Sequence, residues 1–225
     1  MPRVKKRGFE TLQELTELQE QFGVSADRIQ VDPLPGQATV RDLLRLIDRR
    51  GRLYEMVDRT LVEKPMGSPE AYIATELSRR MGNFLDGNDF GYLYGADGLI
   101  ELIPGLVRGP DVCFTPWTAR PERTVPRKPV SKEIPALAAE VLSRKNTVAE
   151  IERKLKEYFL AGVRLVWVID PRTETAVAYT ASDAAVPVPA AGVLDGADVL
   201  PGFRLPLAKL FERLEKPKPA RRRKK

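Results

Sequence analysis

Three charged residues stand in or beside segments that are otherwise apolar, where a charge is costly unless it is paired or bound to metal. Asp111 lies in Gly109-Pro110-Asp111-Val112-Cys113-Phe114 and Glu140 in Leu137-Ala138-Ala139-Glu140-Val141-Leu142-Ser143, while Lys154 belongs to the helical run from Asn146 to Ala161. Read as strand, strand and helix, these pieces bring two carboxylates and one ammonium together. Paired strands would set the carboxylates a few ångströms apart, where their oxygens suit one hard divalent cation. Such a constellation reads as a metal-dependent phosphodiester site.

Strand alternation supports the grouping. Successive side chains point to opposite faces, so Asp111 and Cys113 share one face while Val112 and Phe114 share the other. In the second segment Glu140 lies with Ala138 and Leu142, opposite Leu137, Ala139 and Val141. Both faces are apolar, as in a central strand covered on both sides, which makes Glu140 the anomaly.

The order Pro-Asp, a gap of about thirty residues, Glu-Val-Leu-Ser, a helix with Arg-Lys-Leu-x-Glu-Tyr, and then Ala-Gly-Val-x-Leu-Val-Trp-Val-x-Asp-Pro resembles the Uma-two family. That family is a bacterial branch of the PD-(D/E)XK, restriction-endonuclease-like superfamily. The resemblance runs from about Leu53 through the Leu-Pro-Gly-Phe-Arg-Leu-Pro-Leu stretch at 200–207. It implies a mixed central sheet flanked by helices, Mg²⁺ or Mn²⁺ as cofactor and DNA as partner. The superfamily lysine two residues after the acid would fall at 142, which is Leu142; the resemblance moves that role to Lys154 on the following helix. Many family members carry a histidine near the start of an upstream helix. This chain has no histidine, so a histidine base is excluded and that helix offers only Glu70 or Glu76.

Several elements must position these groups. Ser68-Pro69 starts a helix running to about Leu85, with Ile73, Leu77, Met81 and Phe84 as its buried stripe and Glu70 at the stripe's edge. Glu70 reads either as a first-turn acid favoured by the helix dipole or as a third metal carboxylate. Arg52 to Val57 and Thr60 to Lys64 read as two short strands, and Phe90 to Gly95 and Leu99 to Ile103 flank Asp97-Gly98 as a hairpin. A proline-rich loop from Thr115 to Pro135 carries Arg120, Arg123, Arg127 and Lys128 with Trp117, charges that are solvated or could meet a phosphate backbone. The helix after Asn146-Thr147 is expected to bury Val148, Ile151, Leu155, Tyr158 and Phe159, leaving Lys154 beside that stripe with a partly buried stem. Unaided by the resemblance, Lys154 reads as a surface charge. Val163 to Ile169 is a central strand, Ala176 to Tyr179 another, and Val193 to Leu207 a final ribbon before a short helix around Leu210. At the amino end, Phe9 to Phe22 and a helix capped by Thr39 form a helical extension.

Composition narrows the class. The 225 residues, 43% hydrophobic and 30% charged, suit one globular domain with appendages. Cys113 is the single cysteine, which excludes an internal disulfide and, without histidine, speaks against zinc. No apolar run is long enough to span a membrane and no signal peptide is visible, so a cytoplasmic protein is expected. The net charge of +6 is unevenly placed. The tail from Lys216 to Lys225 carries +7 and Arg3, Lys5, Lys6 and Arg7 carry +4, leaving residues 8–215 at −5. Nucleic-acid affinity must then come from the tails or from a local groove.

The expectation is an α/β, restriction-endonuclease-like domain over residues 51–214, with a helical extension over 1–50 and a disordered basic tail over 215–225. Its function is read as metal-dependent DNA endonuclease activity, with Asp111, Glu140 and Lys154 catalytic and Asp111, Glu140 and Glu70 around the metal. A catalytically inactive nucleic-acid-binding module on the same fold is the alternative. Structural partners such as Arg108 for the carboxylates are a third reading. A homodimer is one option for its assembly.

Overall fold

The structure is a computed structural model that describes residues 12–215, so the basic tail and the amino-terminal cations lie outside the described residues. In chain order it runs through α1 (Leu12–Phe22), α2 (Val40–Arg50), β1 (Tyr54–Val57), β2 (Thr60–Glu63), α3 (Ser68–Asp86), β3 (Gly91–Gly95), β4 (Leu99–Ile103), β5 (Leu106–Arg108) and β6 (Val112–Pro116). It continues through β7 (Val130–Ser131), β8 (Leu137–Val141), α4 (Val148–Ala161), β9 (Leu165–Asp170), β10 (Thr175–Ala181), β11 (Ala184–Val188), β12 (Val193–Asp195), β13 (Arg204–Pro206) and α5 (Ala208–Phe211).

A six-stranded mixed sheet in the order β11-β10-β9-β8-β6-β3 forms the centre. Strand β8 pairs antiparallel with β6 and parallel with β9, and α4 makes the crossover that a parallel pair requires. The alternation of the two acidic strands holds. Val112, Phe114, Leu137, Ala139 and Val141 pack under α3 with Ile73, Leu77 and Met81. Cys113 and Ala138 face the opposite way, against Leu155 and Tyr158 of α4. Covering both faces is what allows these strands to be apolar throughout.

A second, five-stranded sheet in the order β2-β1-β5-β4-β7 stands beside the first, with Leu43 and Leu46 of α2 in its core. Helix α2 starts where Thr39 and Asp42 cap each other: the Thr39 side chain accepts from Asp42 N, and the Asp42 carboxylate accepts from Thr39 N. The β1–β2 hairpin turns on Asp58 and Arg59, whose φ of 48° and 55° match the twist of paired strands. The hairpin expected around Asp97-Gly98 does not form. The turn itself is present, Gly98 N donating to Gly95 O at 2.9 Å, but the strands on either side diverge. Strand β3 is paired along its whole length by β6, and β4 by β5 across Pro104-Gly105, so the turn passes the chain from one sheet to the other. Local turn chemistry makes the turn; longer-range pairing decides the partners of its strands.

Helix α4 spans Val148–Ala161, with Thr147 accepting from Glu150 N at its start and Gly162 at φ 104° ending it. Its buried face differs from the expected one. Val148 is 77% exposed, whereas Glu150 and Lys154 are buried with Leu155 and Tyr158. The helix turns a charged edge inward because acidic groups on β1 and β8 and a buried arginine await it there.

Candidate active site

Val112 lies opposite Ala139 in the β6–β8 ladder, and carrying that register one residue further sets Asp111 opposite Glu140. Asp111 N donates to Ala139 O at 3.0 Å, which fixes the step. Both acids therefore project from the α4 side of the sheet, and both are buried.

They are not a bare pair. Lys154 places its Nζ 3.0 Å from Glu140 Oε2 and 3.3 Å from Oε1 of Glu55, a residue of β1. Tyr158, one turn along α4, donates its hydroxyl to Glu140 Oε1 at 2.5 Å. Glu55 also accepts from Arg108 at 2.7 Å and from Gly109 N at 3.2 Å. Arg108 reaches on to Glu157 at 2.5 Å. Asp111 Oδ2 accepts from Val141 N at 2.6 Å, while Lys64 Nζ stands 2.6 Å from Oδ1. The Lys64–Asp111 pairing is ionic, without hydrogen-bond alignment: the ammonium donates to Gly109 O, and Asp111 Oδ1 is buried with no hydrogen-bond donor.

The electrostatics follow from this arrangement. Burial, together with the charges of Asp111 and Glu55, raises the Glu140 pKa above the ordinary carboxylate value, against the pull of Lys154 and Lys64. Burial opposes ionisation of Glu55 as well, but Lys154, Arg108 and Lys64 outweigh it and hold its carboxyl well below the usual range. Burial would discharge Lys154; Glu140 and Glu55 reverse that and keep it protonated beyond the ordinary lysine range. Burial and the same two carboxylates push the Tyr158 phenol well up. Cys113, on the same face, is pushed up to about 12 by burial and is an inert thiol at neutral pH.

Asp111, Glu140 and Lys154 thus come together, as the sequence led us to expect. The stem of Lys154 was expected to be only partly buried; the residue is instead 2% exposed. Glu70 turns back on its own helix, where its carboxylate accepts from Gly67 N at 3.0 Å, the first-turn role. Glu76 pairs with Arg79 at 2.6 Å and Arg80 at 2.8 Å. Ser143 binds the Asn146 side chain through both its N–H and its hydroxyl, as a turn residue does. Arg108 pairs with Glu55 and Glu157, not with the two expected acids. In the long loop, Arg120 binds Glu133 at 2.6 Å, and Arg123 binds Asp89 and lies over Trp117.

Sequence reasoning missed Glu55 and Lys64 and took Tyr158 for packing alone. Glu55 carried a signal, since it interrupts Tyr54-Glu55-Met56-Val57 as Glu140 interrupts its own apolar strand. Lys64 carried none. It follows β2 in an ordinary polar stretch, and only the fold turns it toward Asp111.

A cleft of about 900 Å³ opens beside the cluster, lined among others by Arg52, Lys64, Ser68, Glu70, Ser143, Arg144 and Lys145. Of its lining, Lys64 touches the cluster directly, through Asp111. Arg52, Lys64, Arg144 and Lys145 outnumber Glu63 and Glu70 in its lining, although Arg52 pairs with Glu63 at 3.1 Å, so the groove is locally basic on a body whose net charge is negative.

The family described as "Putative restriction endonuclease", Uma2, matches residues 40–208. The chain belongs to the Uma2 family. Its fold is also that of a crystal structure of "a putative nuclease belonging to DUF820" from Anabaena variabilis ATCC 29413, with a TM-score of 0.63 at 14% identity over 72% of this chain and 91% of that one. No curated protein matches the sequence. The Uma2 match starts at the residue that opens α2 and ends at the one that opens α5, so both sheets and the whole charge cluster lie inside it. No helix among the described residues is long and apolar enough to cross a membrane.

Restriction-endonuclease-like families generally use divalent metals, and the Uma2 cluster can be tested for fit. Among the described residues no three acidic or cysteine side chains converge as a metal-binding group. Two carboxylates on one sheet face do converge, and the buried Asp111 Oδ1 has no hydrogen bond to satisfy it. An all-oxygen donor pair, one oxygen of which is met only by the Lys64 ammonium, suits a hard cation such as Mg²⁺ or Mn²⁺.

Proposed function

We propose that the protein is a metal-dependent DNA endonuclease whose catalytic residues are Asp111, Glu140 and Lys154. The carrying observation is the cross-strand apposition of Asp111 and Glu140 with Lys154 Nζ 3.0 Å from Glu140. Membership of a nuclease family makes phosphodiester hydrolysis the expected chemistry.

Asp111 and Glu140 would hold the divalent ion, with Glu70, which lines the cleft but accepts from Gly67 N, the third carboxylate to test. Bound there, the ion would polarise the scissile phosphate and lower the pKa of a water. Tyr158 fixes one Glu140 oxygen and Val141 N fixes one Asp111 oxygen, while the second oxygen of each carries a lysine, Lys154 on Glu140 and Lys64 on Asp111, that a cation would share or displace. Lys154, held protonated, is unsuited to act as a base. It supplies positive charge for the negative charge that develops on the phosphoryl group. The cleft cations Arg144 and Lys145 receive the nucleic-acid backbone.

One observation favours the rival reading of a silent binding module: lysines already partner both carboxylates. Thermal unfolding separates the two. Mn²⁺ is expected to raise the melting temperature by preferential binding to the folded state, and Asp111→Asn to remove most of that shift. Identical melting of the wild type in Mn²⁺ and in chelator would exclude the metal centre.

A further inference from the structure

With every group ionised, the linked cluster sets Glu55, Asp111, Glu140 and Glu157 against Lys64, Arg108 and Lys154, one negative charge in excess. A divalent ion entering it would leave one positive charge in excess in a medium where unpaired charge is costly. Release of one resident cation as the metal arrives restores neutrality.

The structure singles out which. Lys154 is enclosed by Glu140, Glu55 and helix α4, and Arg108 by Glu55 and Glu157. Lys64 alone of the cluster's three cations lines the open cleft. Its ammonium stands 2.6 Å from the one Asp111 oxygen that lacks a hydrogen bond. It also anchors to Gly109 O, the carbonyl just before the Pro110-Asp111 step.

We infer that Lys64 is a built-in counter-cation that occupies the metal's place on Asp111 and swings into the cleft when a divalent ion binds. The inference rests on the metal-dependent reading above and deepens it. In the swung position the freed ammonium joins Arg144 and Lys145 on the wall that would meet a phosphate backbone, so metal binding and backbone binding reinforce each other. Lys64 is a positioning residue in this scheme: it governs access to Asp111.

Two measurements on the full chain test it. Calorimetric titration of Mn²⁺ into wild type and Lys64→Met should show tighter binding to the variant, by about tenfold or more, within the ordinary range of coupling between sites. A residue that merely stabilised the fold would weaken or not move that affinity. Should Lys64→Met fail to fold, the wild type decides alone. Reductive methylation with formaldehyde and cyanoborohydride, read by peptide mass spectrometry, should modify Lys64 slowly in chelator and several-fold faster in Mn²⁺. Mn²⁺ binding to the wild type with no change in Lys64 reactivity, or with equal affinity in the variant, overturns the inference and leaves the metal centre standing. Absence of Mn²⁺ binding in both proteins overturns the metal centre, and this inference with it.

Discussion

Lys154 holds two carboxylates at once, at 3.0 Å and 3.3 Å, so its removal leaves Glu140 buried with only the neutral Tyr158 hydroxyl in contact and takes one of two cations from Glu55. Lys154→Met should therefore cost about 3–5 kcal/mol of stability, the penalty for breaking a buried pair, and not the slight change expected of a lysine with a solvated stem. Chemical denaturation at pH 7 reads this directly. Glu55 gives the pH dependence. Its folded-state pKa is depressed from 4.5, so its stabilising contribution is present above that value and lost as the pH falls toward the folded one. Glu140 has the opposite sign: with a raised folded pKa, its ionisation costs stability as the pH rises past 4.5 toward that value. Glu55→Gln should accordingly be most destabilised relative to wild type at pH 7, with the gap narrowing in acid. A gap that stays constant down to about pH 3 would show that Glu55 carries no depressed pKa.

At the scale of elements, Arg28 ties the amino-terminal segment to α4. Its guanidinium reaches Glu150 through two bonds of 2.6 Å and 2.8 Å, both residues being buried. Gly23 sits so close beneath α4 that a Cβ there would meet the backbone of Ala149 and Glu150 at 2.6–2.8 Å. Arg28→Met should lower the melting temperature by several degrees, since about 1 kcal/mol corresponds to roughly 2–4 °C in a chain of this size. An unchanged melting temperature would mean that the amino-terminal segment is a loose appendage. The strands carrying Asp111 and Glu140 were legible in the sequence because a lone acid in a two-faced apolar strand violates binary patterning. The second sheet was not, because Leu106–Arg108 is three residues long and gains strand character only from β1 and β4. The inward turn of Lys154 was legible through family resemblance alone. Helical periodicity places it beside the stripe, and only the acids of β1 and β8 pull it inside.

At the scale of the whole molecule, charge is divided between an acidic body, a basic cleft and the basic residues after Glu215. If the cleft receives the nucleic-acid backbone, the double variant Arg144→Ala/Lys145→Ala should flatten the salt dependence of duplex binding by about 1.8 in log-log slope, roughly 0.9 for each phosphate that is no longer neutralised. Removing residues 216–225, with seven cations, should flatten it by several units and leave the Mn²⁺ melting shift untouched. Filter binding across a salt series checks both, and slopes equal to that of the full chain would exclude those cations from the interface. The central claim is that Asp111 and Glu140 form the active centre of a nuclease, and its most direct measurement is the initial rate of nicking of supercoiled plasmid in Mg²⁺ or Mn²⁺. The wild type should nick in metal and not in chelator, and folded Asp111→Asn should be slower by about a hundredfold or more. Equal rates for the two proteins, or no nicking by a wild type that binds metal, would contradict the claim.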